Sequence, residues 1–321
     1  MDELKPNDVR TIDLVICTYN RSDRISPLVE NVLAVRVPDG WRRRVYLVNN
    51  NSRDDSAEVA TRLAERHAPD LTYVFEGKQG LSNARNAGIA AGSGDLVGFV
   101  DDDELLHPDW FVEAVRAFEA DPDLGYISGT CEPDYESPPP DWLPLRTYPA
   151  VLGVIRLTDH VTRYGPAFDE VMMGGNTVIR RAALDRVGGF NPNLGRSGNG
   201  TQTGEDREMQ TRLHAAGFEG EYRPDLIIYH HVPTHRMQRG YFLRWAYSDA
   251  LATARSDRIR KGRLSRLGLP AWRWRRAVEG IATYALGSVT GKPPARRFEG
   301  LLNVVNLAGG LAGIATWKKA R

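Results

Sequence analysis

The sequence predicts an α/β fold with a mostly parallel central sheet flanked by helices, and two observations support this prediction. Short apolar runs alternate with amphipathic segments from Thr11 to Cys131, which is the rhythm of repeated βαβ units. Of the 321 residues, 41% are hydrophobic, enough for a sizeable core in one large or two modest domains. In such sheets, ligands bind beyond the carboxyl ends of the strands, so the residues that follow each strand are candidates for a site.

The predicted elements fall into a regular first part and a less regular second part. The predicted strands are IDLVIC (12–17), VYLVN (45–49), LTYVF (71–75), DLVGFV (95–100) and GYISGTC (125–131). The predicted helices of this part cover about 24–36, 55–67, 82–92 and 109–120. After the proline-rich, acidic segment 132–144, which reads as an irregular surface excursion, the second part begins. It has a strand and short helix within 176–190, a Gly/Asn-rich loop at 191–204, a helix at about 205–216 and a strand at 226–230.

The net charge of +1 hides a strong asymmetry along the chain. Residues 1–240 carry 26 basic and 37 acidic side chains, a net charge of −11, whereas residues 241–321 carry 16 basic and 4 acidic side chains, a net charge of +12. The basic tail is predicted to be helical, with amphipathic pieces at about 270–288 and 297–316. Such asymmetry points to a partner surface rather than to a fold.

One helical stripe in the tail combines aromatic and aliphatic residues with neighbouring arginines. The stripe consists of Trp272, Trp274, Val278, Ile281 and Ala285, beside Arg273, Arg275 and Arg276. This composition predicts contact with an anionic membrane surface, and the alternative is a helix packed on the acidic body of the protein or on a second subunit. We expect no nucleic-acid partner, because no binding motif accompanies the charge and the acidic body would repel phosphate.

The remaining compositional features favour a cytoplasmic location, with peripheral contact to the inner face of the cell membrane. Cys17 and Cys131 cannot build a disulfide framework, and no Cys/His cluster suggests structural zinc. The N-terminal segment MDELKPNDVR is too polar and acidic for an export signal. The uncharged stretch 300–317 contains two asparagines and several glycines, which weaken it as a membrane span.

Polar clusters follow three of the predicted strands. They are TYNR (18–21), NNNS (49–52) and DDDE (101–104). Four consecutive carboxylates repel one another unless a cation neutralises them, and oxygen ligands suit Mg²⁺ or Mn²⁺. The alternative is a solvated acidic loop or an acidic helix start. Because strand side chains alternate, Asp101 and Asp103 could face one way and Asp102 the other.

Other candidate residues lie near helix starts and in glycine-rich turns. Asp206, in the sequence GEDRE, is either a helix cap or a general base. Arg85, one turn into the helix that follows Gly80, suits a diphosphate or ribose neighbourhood, or pairs with carboxylates such as Asp101. The Gly174-Gly175-Asn176 turn and the loop 191–204 are donor-sugar and acceptor walls or ordinary turns. Trp142 belongs to an acceptor-side lid or anchors a stiff surface loop.

The motifs together resemble glycosyltransferase family 2 over about residues 10–250. They are TYNR, VNNNSRDD, GLSNARNAGIAAGSGDLVGFVDDDE, GGNTVIRRAALDRVGGF, GEDREMQTRLHAAGF and LIIYHHVP, in this order. The resemblance implies a GT-A fold, a nucleotide-diphosphate sugar donor, a divalent metal (Mn²⁺ or Mg²⁺) and inversion at the anomeric carbon by direct displacement.

The resemblance also assigns roles to individual residues. It implies that Asp206 is the general base, that Asp103 binds the metal and that His230 completes the metal shell, although a histidine at a strand end often has no role. The implied nucleotide- and donor-binding residues are Thr18, Tyr19, Asn20, Arg21, Asn49, Asn51, Arg85, Asp101, Asp102, Gly175, Asn176 and Glu205. The family usually has aspartate where this chain has Asn49. An asparagine carbonyl also accepts from uracil N3–H, but without charge and with an added donor, so this position leaves the donor base open. A UDP-sugar is the preferred donor.

The predicted function is transfer of a sugar to a hydroxyl of a saccharide, lipid-linked or metabolite acceptor, as in polysaccharide biosynthesis. The predicted catalytic domain covers 1–235, with a nucleotide-sugar half at about 10–131 and an acceptor half at about 132–235, followed by a helical region at 236–321. A catalytically silent sugar-nucleotide-binding or scaffolding protein of the same fold is the alternative. A nucleotidyltransferase is disfavoured, because TYNRSDR (18–24) contains no glycine-rich phosphate loop with a following lysine.

Overall fold

The computed structural model describes residues 9–144, 147, 149–197, 203–261 and 269–319. The chain divides into two units. Unit 1 comprises Met1–Glu132 and Arg156–His230, and unit 2 comprises Pro133–Ile155 and His231–Arg321. The proline-rich excursion thus belongs to the same unit as the C-terminal helices, whereas the predicted functional division at about residue 235 remains a prediction.

The first part of unit 1 alternates strands and helices as the sequence predicts. Its elements are β1 (Arg10–Thr18), α1 (Ser22–Ala34), β2 (Trp41–Asn49), α2 (Ser56–Arg66), β3 (Leu71–Phe75), α3 (Leu81–Ala91) and β4 (Leu96–Asp101). β1 pairs in parallel with both β2 and β4, and β2 pairs in parallel with β3. Runs of fully buried aliphatic residues in β1, β2 and β4 explain this arrangement, because parallel strands are covered on both faces.

The later strands join this sheet in an order that does not follow the chain. The elements are β5 (Glu104–Leu106), α4 (Trp110–Ala120), β6 (Leu124–Tyr135), β7 (Thr162–Arg163), β8 (Asn176–Arg180), α5 (Arg181–Val187), α6 (Glu205–Ala215) and β9 (Glu219–Val232). In the described residues, nine strands form one sheet in the order β3-β2-β1-β4-β8-β6-β9-β5, with β7 paired to β9. β8 lies antiparallel between β4 and β6, so β6 runs in the same direction as β4 but pairs with β8.

A buried tryptophan ties this mixed part of the sheet together. Trp110, at the start of α4, is fully buried, and its ring lies so close to Gly98 of β4 that a Cβ there would come within 2.8 Å of it. Its indole Nε1 donates to Asn176 Oδ1 of β8 at 2.8 Å. Trp110 therefore fixes the carboxyl end of β4 against the first residue of β8, beside the polar strand ends.

Unit 2 contains three long helices, in agreement with the predicted helical tail. They are α7 (Arg239–Lys261), α8 (Ala271–Leu286) and α9 (Pro294–Lys319), and α9 packs against both of the others. The stretch Pro294–Ala315 of α9 is long and apolar enough to cross a membrane, and 39% of its most apolar window is buried within the protein.

Trp142 anchors the proline-rich excursion within unit 2. Its ring makes edge-on contacts with Phe298 at 4.8 Å and Phe242 at 5.8 Å between centroids. The Arg239 guanidinium lies 5.4 Å from the centroid of the same ring. These contacts favour the anchoring interpretation of Trp142 over the interpretation as a lid.

Candidate active site

The strand register brings the predicted polar clusters to one edge of the sheet. Thr18, the last residue of β1, pairs with Asn49, the last residue of β2. On the other side of β1, Cys17 pairs with Asp101, the last residue of β4. The three strands run parallel and end level with one another, so the residues that follow them share one edge of the sheet.

A crevice of about 210 Å³ lies at this edge. Its lining comprises Cys17, Thr18, Tyr19, Arg21, Asn50, Gln79, Leu81, Ala84, Asp101, Asp102, Asp103 and Arg196. The six predicted residues in this set are therefore brought together. Asn20, Asn49, Asn51, Arg85 and the predicted residues after position 170 are not part of the lining.

The three aspartates at the end of β4 point toward three different partners. Asp102 Oδ2 accepts a 2.8 Å hydrogen bond from the Thr18 hydroxyl. Asp101 Oδ1 lies 3.6 Å from Arg85 Nη2, and Asp103 Oδ2 lies 3.6 Å from His230 Nε2. Strand alternation does not apply beyond Asp101, because β4 ends at Asp101 and the next two residues form a turn.

Burial makes this carboxylate cluster electrostatically costly. Burial raises the pKa of Asp102 to about 7, and the charges of Asp103 and Asp101 add to this effect against the opposing Thr18 hydrogen bond and Arg21. Burial likewise raises the pKa of Glu104, whose Oε2 accepts the Asp101 N–H at 2.9 Å. Crowded, desolvated carboxylates of this kind are stabilised in the charged form by a nearby cation.

Asp103 and His230 are the residues that fit a divalent metal. Glu104 of β5 pairs with His230 of β9, which brings the imidazole to the Asp103 carboxylate. Asp103 is partly exposed and lines the crevice. The described part of the chain has no group of three or more such ligands close enough to hold a metal. Two protein ligands are nevertheless enough for an ion of the Mg²⁺ type, which takes its other ligands from water and substrate phosphates.

Arg85 is an interior partner of carboxylates. Only 2% of the residue is exposed, and its Nη1 donates to Asp206 Oδ1 at 2.9 Å. Its guanidinium also lies 5.1 Å from the centroid of the Phe190 ring. Burial lowers the pKa of Arg85, but the charges of Asp206 and Asp101 outweigh burial and raise it. Arg85 thus pairs with carboxylates and does not line the crevice, and its contact with the donor stays a prediction.

Asp206, in the first turn of α6, is held by two hydrogen bonds from outside its own helix. Its Oδ1 accepts from Arg85, and its Oδ2 accepts the Gly174 N–H at 3.2 Å. About a quarter of the side chain is exposed. Burial raises its pKa, Arg85 opposes the shift, and Glu205 adds to it. Because these bonds leave the α6 backbone, they do not support the capping interpretation.

Gly174 and Gly175 are glycines because carboxylates occupy the space of their side chains. A Cβ on Gly174 would lie 2.2 Å from Asp206 Oδ1. A Cβ on Gly175 would lie 2.8 Å from Glu104 Oε1 and 2.9 Å from Asp101 Oδ2. The pair therefore lets the carboxylates of α6 and of the β4–β5 turn approach one backbone segment, a reason that neither predicted interpretation included.

Two other residues predicted to bind the donor are buried. The Asn176 amide is fully buried, accepting from Trp110 and donating to the carbonyls of Thr130 and Leu226 at 2.9 and 2.8 Å. These bonds give Asn176 a structural role, and its donor contact stays a prediction. Glu205 is 6% exposed, and its Oε2 makes no hydrogen bond within the described residues.

The asparagines at the ends of β1 and β2 connect the two loops that follow these strands. Asn20 and Asn51 have φ angles of 54° and 59°, a left-handed conformation that asparagine tolerates. Asn20 Oδ1 accepts the Arg53 N–H at 2.8 Å. Asn49 Oδ1 accepts the Ser52 N–H at 3.0 Å, and its amide donates to the Tyr73 hydroxyl at 3.2 Å. These contacts join the two strand-end loops.

Asn50 and Arg196 lie within the predicted segments 49–52 and 191–204, but neither of them nor Gln210 is predicted individually. Asn50 Oδ1 accepts the Gly80 N–H at 2.7 Å, and its amide donates to the Lys78 carbonyl at 2.8 Å, so it holds the loop before α3. Arg196 lines the crevice, and its carbonyl accepts the Leu81 N–H at 2.8 Å. It is the only charged residue in the loop 191–204, a signal that would have identified it.

Gln210 lies one helical turn after Asp206 and binds the same neighbouring segment. Its Oε1 accepts the Met172 N–H at 3.3 Å, while its Nε2 donates to the Glu170 carbonyl at 3.2 Å. Asp206 binds the N–H of Gly174 two residues further along. The spacing of four residues from Asp206 was the available signal, because side chains so spaced share one helix face.

Comparison with known proteins identifies the family. The model of Glycosyl transferase family 2 matches residues 13–188, more than half of the chain. This chain belongs to glycosyltransferase family 2. The matched range includes the three strand-end clusters, Arg85 and the Gly174-Gly175 pair, and ends before Asp206.

Two relatives are similar to this chain in sequence. The succinoglycan biosynthesis protein ExoM of Rhizobium meliloti (strain 1021) is 28% identical over 235 residues, which cover 72% of this chain and 70% of ExoM. The glucosyl-dolichyl phosphate glucuronosyltransferase of Haloferax volcanii is 30% identical over 59% of this chain and 58% of that protein.

A solved structure shares the predicted GT-A fold. The mannosyltransferase PcManGT from Pyrobaculum calidifontis, solved with GDP-Man and Mn²⁺, aligns with a TM-score of 0.55 at 22% identity. The alignment covers 97% of this chain and 75% of PcManGT. The prediction of an α/β GT-A fold with a helical C-terminal extension is thereby confirmed.

Proposed function

We propose that this glycosyltransferase is a metal-dependent, inverting enzyme that moves a sugar from a nucleotide-diphosphate sugar to an acceptor hydroxyl. The observation that carries the proposal is the geometry of Asp206. This carboxylate is partly exposed, fixed by Arg85 and the Gly174 N–H, and linked through Arg85 to Asp101 in the strand-end crevice. A carboxylate fixed beside a nucleotide-sized crevice suits a general base.

The reaction would proceed by a single displacement. An acceptor oxygen attacks the anomeric carbon while its proton moves to Asp206, and the bond to the diphosphate oxygen breaks with the electron pair leaving on that oxygen. Arg21 and Arg196 line the crevice and are the cations available to the diphosphate. Asp103 and His230 would hold Mn²⁺ or Mg²⁺, which when bound supplies positive charge at the departing diphosphate. The Mn²⁺ bound to PcManGT supports this cofactor assignment.

The preferred donor is a UDP-sugar, and a GDP-sugar is the alternative. The preference for UDP comes from the family resemblance at position 49, where an asparagine carbonyl can accept from the N3–H of uracil. Asn49 itself is 1% exposed, and its side chain binds Ser52 and Tyr73. PcManGT was solved with GDP-Man, which supports a GDP-sugar as the alternative donor. We propose a lipid-linked or saccharide acceptor, because one relative is named for a dolichyl phosphate substrate and another for a polysaccharide.

We further propose that the enzyme works in the cytoplasm, with its basic C-terminal region against the inner face of the cell membrane. The net charge of +12 on residues 241–321 supports attraction to anionic lipid.

A labelled donor panel tests the proposed function. Full-length protein is incubated with Mn²⁺ and each of several UDP- and GDP-sugars, and release of nucleotide and label is measured with and without saccharide and lipid-linked acceptors. We expect turnover with one donor, abolished by chelation of the metal. Tight donor binding without turnover on any acceptor would favour the alternative of a catalytically silent binding protein.

A further inference from the structure

Exposed apolar side chains are concentrated on one helix of unit 2. Within the described residues, eleven large hydrophobic side chains are substantially exposed, and six of them lie between positions 272 and 289. The six are Trp272, Val278, Ile281, Tyr284, Leu286 and Val289. The other five are scattered over the rest of the chain, so α8 and the turn after it form a distinct apolar surface.

The packing of α8 is inverted relative to that of an ordinary surface helix. The buried face of α8 consists of small residues, Ala277 and Gly280, and a Cβ on Gly280 would lie 2.4 Å from the Gly300 carbonyl oxygen of α9. The helix surface beside this buried face carries Val278 and Ile281, exposed by 67% and 57%. A surface helix normally buries its large apolar residues and exposes its small and polar ones. The exposed apolar face of α8 is therefore a candidate contact surface for a partner.

The charges around this face favour one class of partner. Arg275 and Arg276 are exposed on α8, and Lys292 and Arg296 are exposed just after it. Glu279 is the only acidic residue of α8, and its Oε1 lies 3.7 Å from Arg275 Nε. The Trp272 ring lies 5.2 Å from the Arg276 guanidinium. An apolar stripe edged by arginines and a tryptophan matches the boundary between the acyl chains and headgroups of an anionic bilayer.

The neighbouring helix α9 packs against the interior of unit 2. Its Phe298, Leu302 and Ile314 are buried in the two small cores of unit 2. A Cβ on Gly309 would lie 2.3 Å from the Tyr247 carbonyl oxygen of α7, and a Cβ on Gly313 would lie 2.6 Å from that of Leu251. The most apolar helix is thus held between α7 and α8, and the face left for lipid is the outer face of α8.

We propose that the outer face of α8 and the turn after it, comprising Val278, Ile281, Leu286 and Val289 with the flanking Arg275 and Arg276, docks on an anionic lipid bilayer and lies in its surface without crossing it. This docking rests on the membrane contact proposed for the C-terminal region, and it does not depend on which sugar the enzyme transfers.

Vesicle sedimentation of the full-length protein tests this proposal. Wild-type protein should sediment with vesicles of phosphatidylcholine and phosphatidylglycerol, and weakly with phosphatidylcholine alone. The double variant Val278→Glu/Ile281→Glu should lose at least about tenfold in partition to the mixed vesicles. Val161→Glu, at an apolar side chain exposed by 45% in unit 1, is the matched control and should bind as wild type does.

A second pair of variants and two further measurements keep the outcomes distinct. Arg275→Gln/Arg276→Gln should weaken binding to the mixed vesicles and reduce its dependence on salt, while Val278→Ser/Ile281→Ser removes apolar contact without adding charge. Circular dichroism and donor turnover without vesicles should be unchanged in all variants, which separates docking from folding and from transfer. Equal sedimentation of wild type and Val278→Ser/Ile281→Ser would overturn the proposal. So would vesicle-independent self-association of the wild type that this variant abolishes, since the face would then bind a second copy.

Discussion

Arg85 is the residue on which the geometry of the candidate active site depends. A guanidinium with 2% exposure holds Asp206 at 2.9 Å and Asp101 at 3.6 Å, so it links the first turn of α6 to the end of β4. The Arg85 side chain is almost fully buried, whereas 25% of the Asp206 side chain and 42% of the Asp101 side chain are exposed. Removing Arg85 leaves the inner sides of both carboxylates without the cation that faces them, which is destabilising.

Arg85→Met should therefore lower the free energy of unfolding by about 2 kcal/mol, since it removes the buried cation that faces the partly exposed Asp206 and Asp101. Urea denaturation followed by circular dichroism measures this loss. Arg62→Met is the control, because Arg62 makes an exposed pair with Glu58 at 2.5 Å that should be worth less than about 0.5 kcal/mol. Similar losses for the two variants would show that Arg85 does not hold the cluster.

Asp103 carries the proposed metal dependence at the residue scale. Asp103→Ala should reduce the gain in nucleotide affinity that Mn²⁺ provides by more than about tenfold, because it removes the carboxylate paired with His230. Calorimetric titration of UDP or GDP with and without Mn²⁺ measures the gain. Asp159→Ala, at an exposed acidic residue, should leave it unchanged. A gain equal to that of wild type in Asp103→Ala would refute the assignment.

At the scale of elements, the segment from Glu170 to Gly175 is hydrogen-bonded to side chains on one face of α6. Gln210 binds the Glu170 carbonyl and the Met172 N–H, Asp206 binds the Gly174 N–H, and the Ser128 hydroxyl accepts the Met173 N–H at 2.8 Å. The segment ends in two glycines against which the carboxylates pack. The position of Asp206 is therefore set by a backbone segment more than 30 residues away in sequence.

Gly174→Ala tests this fit. The added methyl group would occupy the position of Asp206 Oδ1, so the carboxylate must move, and we expect kcat to fall by about a hundredfold with a smaller change in donor affinity. Steady-state kinetics with the donor found in the panel measures both quantities. Gly165→Ala, where a Cβ would meet nothing within 4 Å, should have wild-type kinetics. A kcat for Gly174→Ala near that of wild type would contradict the tight packing.

Element prediction from the sequence succeeded where the signal is local. Periodicity located β1 to β4, α1 to α4 and the tail helices to within a few residues, and the strand-end rule located Thr18 and Asp101–Asp103 in the crevice. The insertion of β8 between β4 and β6 could not be derived, because strand order beyond local βαβ units depends on tertiary packing such as that of Trp110 on Gly98. Asn176 looked like a site residue for the same reason, since its partners Thr130 and Leu226 are distant in sequence.

At the scale of the whole molecule, the near-neutral charge separates into two parts with different proposed roles. Part of the net charge of −11 on residues 1–240 consists of carboxylates crowded around Arg85 and the crevice, where a bound cation would offset them. The described part of the basic tail packs as three helices, and it leaves the apolar face of α8 exposed beside arginines. The sequence predicted the stripe, whereas only the packing of Gly280 on Gly300 shows which face is free.

Asp206→Asn tests whether Asp206 is the general base of an inverting transfer. The amide keeps the shape of the carboxylate, but its single oxygen can accept from only one of Arg85 and the Gly174 N–H, and it cannot take up a proton from the acceptor. Transfer rate and Mn²⁺-dependent nucleotide affinity are measured on the same preparation. We expect transfer to fall by about a thousandfold while nucleotide affinity stays at the wild-type value. Transfer within about tenfold of wild type, with nucleotide binding intact, would contradict the assignment.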